Sequence, residues 1–425
     1  MPLRYFSSSS FSELCLILNK FFGKVKATKN VEKENASMVR KSVASFHKSE
    51  TNTYRRSTQP TSVPLTQALN NSFPLSFMNS VKDYGLRKDP LKIQHNLLSS
   101  LPFYLNTNAN EPTGKIIETK LDSGHYINEF VIYPPNKNEA DEGSLNHLIM
   151  VHGYGAGLGF FLKNFEIING HDNWCIHAID LLGYGCSSRP RFKLAVNDID
   201  HVERWFHDSF DSWLEKRGLK NVSSKTIIMA HSMGAYLMAT YGIKVNPDFC
   251  SKLIMVSPGA VAKNKRRTKL PKYFAKLWEL NASPFLLVRG AGPLGSKLVS
   301  AWTYRRFAGL SHEEVNLLHK YTYTIFQAPA SGEYMLNYLL APGADARHPL
   351  MERGIEKLNC EVIWCYGKED WMEKWGSYFC RDLINKHHRD ETKSKVIEIE
   401  NSGHHLYLDN YKKFNDLLAD EMSTL

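Results

Sequence analysis

Ser232, Asp370 and His404 lie far apart in the chain, yet their types and order are those that nucleophilic acyl transfer requires. Ser232 sits in "TIIMAHSMGAYLMATYG", between an Ile-rich run and a helical pattern. Ala-His-Ser-Met-Gly fits small-x-Ser-x-Gly, the signature of a serine on a sharp strand-to-helix turn. The turn needs small residues two before and two after the serine, because the incoming strand and outgoing helix nearly touch. Ala230 stands where glycine is usual, and a methyl group is small enough. A serine at a crowded structural corner would carry the same pentapeptide, so a base and an acid later in the chain must decide between the two.

An unaided serine hydroxyl is a poor nucleophile and needs a base, and the base needs an acid to orient it. The run "EVIWCYG" is followed by "KEDWM", which places Asp370 at its carboxyl end. The run "KVIEIE" is followed by "NSGHH", which places His404 at the next. Glu369 competes with Asp370, and His405 with His404, where the residue directly after Gly403 is favoured. Asp180 also closes a run, but it precedes the serine, and "DLLGYG" reads as a structural turn. The tetrahedral oxyanion needs backbone N–H donors. Met233, just after the serine, supplies one, and Tyr154 in the glycine-rich "HGYGAGLG" supplies the other. His152 in that loop reads as structural. No metal and no cofactor enter this chemistry.

The elements that must hold these residues emerge from the apolar pattern. "GKIIETKLDSGHYINEFVIYPP" alternates as two hairpin strands ending at Pro134. "LNHLIMVHG", "WCIHAID", "KTIIMAHSMG", "SKLIMVSPG", "EVIWCYG" and "KVIEIE" are short, continuous apolar runs bounded by turn residues, with helical stretches between them. Buried strands alternating with helices predict an α/β fold, a mostly parallel sheet with helices on both faces. Ligands in such sheets gather at the strands' carboxyl ends. Between "VSPGAVA" and "CEVIWCYG" the alternation stops and aromatic-rich helical patterns take over. The expected organisation is core at 66–258 and 357–425, with a helical cap inserted at 259–356.

The 425 residues suffice for one large core plus a cap. The seven cysteines are odd in number, scattered and without a C-x-x-C pair, which argues against a disulfide framework or a zinc site. No long apolar run predicts a transmembrane helix. The net charge of +10 favours an anionic partner. Nucleic acid would require a basic, aromatic-interleaved module that is absent, so the expected partner is a membrane surface. Residues 1–30 are Ser-rich and basic (Arg4, Lys20, Lys24, Lys26, Lys29), with Glu13 the single acid and an amphipathic "FSELCLILNKFFGKV". This is the make-up of a mitochondrial transit peptide; residues 1–65 read as targeting segment and polar linker. "KNKRRTKLPK" opens the cap, where Lys265, Arg266, Arg267 and Lys269 could meet anionic lipid, at about 1 kcal/mol for each basic residue. A solvated helix face is the equal alternative.

"HGYGAGLGFF", "DLLGYGCSSRP", "AHSMG", "YGKEDWM" and "GHHLYLD" together resemble the α/β-hydrolases. More narrowly the chain is similar to the lipid hydrolases related to the lipid-droplet coactivator CGI-58, nearest to their yeast mitochondrial cardiolipin-deacylase branch. The likeness runs from about residue 100 to 420 and includes "SPFLLVRGAGPLGSKLV" in the cap. It implies phospholipid acyl-ester hydrolysis, with Ser232, Asp370 and His404 at the triad positions. The coactivator lacks the serine that this chain keeps, which argues against a purely non-catalytic lipid-binding role. The same family carries an H-x4-D pattern, here His404 and Asp409, taken as an acyltransferase signature. Asp409 also precedes the helical stripe Phe414, Leu417 and Leu418, and reads as that helix's N-cap. The expected function is a serine phospholipase acting on cardiolipin to give monolysocardiolipin, peripheral to the mitochondrial inner membrane, on the matrix side. The alternative is a lysophosphatidic acid acyltransferase using acyl-CoA.

Overall fold

The computed structural model describes residues 75–192, 198–264 and 272–425. In chain order, helices α1 (Phe77–Leu86) and α2 (Pro90–Leu98) precede strands β1 (Thr113–Lys120), β2 (Tyr126–Tyr133), β3 (Asn146–Val151) and β4 (Trp174–Ile179). Helix α3 (Ile199–Lys216), strand β5 (Thr226–His231), helix α4 (Met233–Lys244) and strand β6 (Lys252–Val256) come next. A helical stretch then holds α5 (Lys272–Glu279), α6 (Phe285–Gly290), α7 (Gly295–Arg306), α8 (His312–Gln327) and α9 (Met335–Leu339). It ends on the short pair β7 (Leu340–Ala341) and β8 (Asp345–Ala346). The chain returns to the sheet with β9 (Glu361–Gly367), α10 (Trp375–His388) and β10 (Ser394–Ile399), and finishes in α11 (Leu406–Asp409) and α12 (Tyr411–Ser423).

The sheet runs β1-β2-β4-β3-β5-β6-β9-β10. β2 is antiparallel to both its neighbours, and every other pairing is parallel. The mostly parallel sheet expected from the apolar runs is therefore present, and alternation within each run explains its two covered faces. Ile149, Val151, Ile228, Leu253 and Trp364 point into one core with α3, α4 and α10. Leu148, Met150, Ile227, Ile254 and Ile363, one residue out of step, point into the other with α2, α8 and α12. A parallel strand buried on both sides has no position for a polar face, which is why its sequence reads as a continuous run.

Helix α1 is fastened to the inserted helices. The Ser296 hydroxyl donates to Asp83 Oδ2 at 2.6 Å, and Lys297 Nζ to the Leu75 carbonyl at 3.0 Å. No helix among the described residues is long and apolar enough to cross a membrane.

Candidate active site

Strand β5 delivers Ser232 into the turn that starts α4. Its φ of 54° and ψ of −113° are an unfavourable backbone for any residue with a Cβ. The surroundings over-determine it: the Ser232 N–H donates to the Val256 carbonyl at 2.9 Å, and the Ser232 carbonyl accepts from the Gly259 N–H at 3.0 Å. Ala230 is fully buried beneath the turn. At Gly234 a Cβ would lie 2.4 Å from the His152 carbonyl oxygen, so the position two after the serine admits only glycine.

Three strand ends converge on this serine. His404 follows β10 and brings Nε2 to 3.1 Å from Ser232 Oγ. Asp370 follows β9, its carboxylate fully buried, with Oδ1 3.4 Å from His404 Nδ1. That separation is slightly longer than a hydrogen bond; such contacts often tighten only when substrate binds. The Asp370 carboxylate is oriented by the Met372 N–H, which donates to Oδ1 at 3.0 Å. Glu369 is exposed on the outside of the same turn, and only its backbone N–H engages the loop, at Ser402. His405 points away from the serine into an aromatic nest with His231, Phe160 and Tyr407. The local competitors are thereby excluded from the hydrogen-bond path.

The loop after β3 lies against the serine: a Cβ on Gly153 would be 3.0 Å from Ser232 Cβ. This places Tyr154 beside the site, its ring stacked on Phe285 of α6 at 5.4 Å. Met233 opens α4, where the first N–H groups have no acceptor within the helix. His152 is structural, as its loop position suggests. Its Nε2 accepts from the Leu181 N–H at 3.0 Å and ties the β3 and β4 loops together. Asp180 accepts from the Leu158 and Cys186 N–H groups and from Asn128, all at 2.8 Å or less, and is fully committed to that scaffold.

Asp409 is not a helix N-cap. Asn410 occupies that place before α12, and Asp409 instead turns back to the histidine loop. Its Oδ2 accepts from the Gly403 N–H at 2.9 Å, and Oδ1 lies 3.5 Å from Arg306 Nη1 at the end of α7. Burial raises its pKa above the ordinary aspartate value, against the opposing pull of Arg306. His404 thus lies in the loop before α11 and Asp409 at the end of that helix, and the carboxylate grips backbone, not the imidazole. His231 was not legible as a site residue, being the free position of the pentapeptide. Its Nε2–H donates to the His404 carbonyl at 3.0 Å, and burial, then the His404 ring, hold its pKa well below the usual value. Residues 1–65 and the basic group Lys265, Arg266, Arg267 and Lys269 lie outside the described residues.

A parallel sheet with a serine on a strained strand-to-helix turn, faced by histidine and aspartate from the next strand ends, defines a hydrolase-type α/β architecture. The chain belongs to the alpha/beta hydrolase fold family, whose sequence profile matches residues 146–411 and so spans the serine, aspartate and histidine loops. It is 36% identical over 288 residues to the Arabidopsis thaliana 1-acylglycerol-3-phosphate O-acyltransferase. That match covers 64% of this chain and 65% of the relative, just under two thirds of the relative's length. A human (Lyso)-N-acylphosphatidylethanolamine lipase is 27% identical, over 67% of this chain and 84% of the relative. Among solved structures, a bacterial membrane phospholipase A shares the fold, with a TM-score of 0.51 at 16% identity, covering 78% of this chain and 93% of that one.

Proposed function

We propose that the protein is a serine phospholipase that cleaves acyl esters of glycerophospholipids. The observation that carries this reading is the 3.1 Å approach of His404 Nε2 to Ser232 Oγ on a turn held in strained geometry. His404 takes the hydroxyl proton as Ser232 Oγ attacks the ester carbonyl, and Asp370 orients and stabilises the imidazolium. The oxyanion is received by the backbone N–H groups of Met233 and Tyr154. Collapse expels the lysophospholipid alkoxide, which His404 protonates. Water, deprotonated by His404, then releases the fatty acid from the acyl-serine. The names of the plant and human relatives both concern acyl groups on phosphoglycerolipids, which supports the substrate class. Within it we assign cardiolipin deacylation to monolysocardiolipin at the mitochondrial inner membrane, on the strength of the transit-like first thirty residues.

A second reading is favoured by the acyltransferase name of the 36% identical relative. The same acyl-serine, loaded from acyl-CoA, would pass its acyl group to a lysophosphatidic acid hydroxyl in place of water. Incubating the purified protein with mixed mitochondrial phospholipids, with and without acyl-CoA, and analysing the lipids separates the two. Fatty acid and monolysocardiolipin without acyl-CoA are expected. Consumption of lysophospholipid only with acyl-CoA would replace the proposal by the second reading. Ser232→Ala should abolish both products and fluorophosphonate labelling, with activity lost by several orders of magnitude. Retained labelling would overturn the nucleophile.

A further inference from the structure

At the other end of the sheet from Ser232, near the amino ends of β3 and β4, three potential ligands converge. Strand register makes the cluster: His147 pairs with Cys175, and His177 lies two residues on from Cys175, so all three share the α3 face. All are buried, and one donor atom from each lies within 4.8 Å of the others. They are the metal-ligand group found among the described residues.

The hydrogen bonds around them fix where the protons are. His147 Nε2 meets the Glu142 carbonyl at 3.0 Å, and a carbonyl only accepts, so that nitrogen carries a hydrogen. His177 Nδ1 meets Glu129 Oε1 at 2.7 Å, and Glu129 also faces the Trp213 indole N–H and the Arg217 guanidinium, so it too acts as acceptor. Both outer nitrogens are therefore donors. In neutral imidazoles this leaves His147 Nδ1 and His177 Nε2, 3.0 Å apart, as two lone pairs facing one another. Something positive must lie between them, either an additional proton or a metal ion. A proton has no use for the third donor. The Cys175 thiol beside the pair does: a thiophilic ion would displace its proton and bind the sulfur. Charge points the same way: the buried Glu129 and Glu142 carboxylates share the Arg217 guanidinium. A divalent zinc ion bound to the thiolate adds the missing positive charge, whereas copper(I), with one charge, only balances the thiolate. The outer bonds are those that orient ligating histidines in metal sites, a carboxylate on one ring and a backbone carbonyl on the other.

We infer that His147, Cys175 and His177 form a buried site for a thiophilic metal ion, zinc or copper(I), separate from the serine centre. The ion replaces the contact between the two inner nitrogens, which need to part only slightly for metal–nitrogen bonds of about 2.0–2.1 Å. Enclosure in the sheet means that it is acquired as the chain folds.

The test is the metal content of untagged full-length protein produced in zinc- or copper-supplemented medium and dialysed against chelator. About one ion for each chain is expected, with at least a ten-fold loss in Cys175→Ser and none in Cys380→Ser. Fluorophosphonate labelling of Ser232 should be unchanged in Cys175→Ser, which keeps this result independent of the hydrolase reading. X-ray absorption at the metal edge of the wild-type protein needs no variant. It should find one sulfur near 2.3 Å, approximately the zinc–thiolate length, with nitrogen neighbours. Metal-free wild-type protein from both media would overturn the site and leave a shared proton in its place; metal without a sulfur neighbour would overturn it as well.

Discussion

Asp370 and Asp409 both bring a carboxylate to the neighbourhood of His404, by different routes. Asp370 lies 3.4 Å from the imidazole, whereas Asp409 holds the backbone N–H of Gly403, the residue before it. Their asparagine variants should separate accordingly. Asp370→Asn removes the charge that orients and stabilises the imidazolium, and kcat should fall roughly ten-thousand-fold with little change in KM. Asp409→Asn keeps an acceptor for Gly403 and loses only the charge that faces Arg306. A cost of about 1 kcal/mol, near five-fold, is expected. Asp409→Ala leaves a buried N–H without its acceptor and should destabilise the fold by about 1–3 kcal/mol. Steady-state kinetics and thermal melts of the three variants check this. An inactive, well-folded Asp409→Asn beside an active Asp370→Asn would reverse the roles and favour acyl transfer.

Among the elements, the turn from β5 to α4 is the most demanding, and two glycines beside it should respond oppositely to alanine. At Gly234 the added methyl meets the His152 carbonyl oxygen at 2.4 Å, a backbone atom that cannot swing aside, and α4 must shift from the β3 loop. Overpacking of about 1–3 kcal/mol is expected, with Tm lowered by several degrees and probe labelling of Ser232 lost. At Gly259 the nearest atoms lie at 3.6 Å, an ordinary contact, so Gly259→Ala should melt and label like wild type. Equal behaviour would mean that the turn is softer than its packing implies. This element was readable because its demands are local: a small residue, an apolar run before it, a helical pattern after. The strands were legible for the same reason, since burial on both faces leaves an unbroken Ile and Val run. Contacts made by register or by loop return left no such trace. His147 and Cys175 meet only because β3 pairs with β4, and nothing in their spacing of twenty-eight positions announces it. Asp409 sits two residues ahead of α12, close enough to read as its cap, but Asn410 takes that place and Asp409 turns back to Gly403. The docking of α1 on α7 through Asp83 and Ser296 is likewise invisible in either segment alone.

At the scale of the whole molecule the main quantity is the excess of +10 charges and where it acts. Lys263, the first cation of the basic run before the cap helices, lies 3.8 Å from Glu352, an exposed pair that contributes little to stability. Under the proposed function Lys265, Arg266, Arg267 and Lys269 supply attraction to acidic headgroups, about 1 kcal/mol each near such a surface. Attraction of this kind reaches only about 8–10 Å at physiological salt. Binding to cardiolipin-containing vesicles should therefore weaken steeply as salt rises. Changing the four residues to Gln should reduce it far more than binding to neutral vesicles. Hydrolysis of detergent-dispersed lipid should be unchanged, because the substitutions leave the serine, histidine and aspartate loops intact. Under the proposed function residues 1–30 are an address and not part of the site, so deleting them should leave the protein outside mitochondria with the same activity in detergent. Vesicle sedimentation across a salt series and fractionation of cells carrying the truncated chain measure both. Binding indifferent to salt and to the four substitutions, together with mitochondrial recovery of the truncated chain, would refute the membrane and localisation assignments. The chemistry at Ser232 would be untouched, because it depends on contacts of a few ångströms at the strand ends rather than on long-range charge.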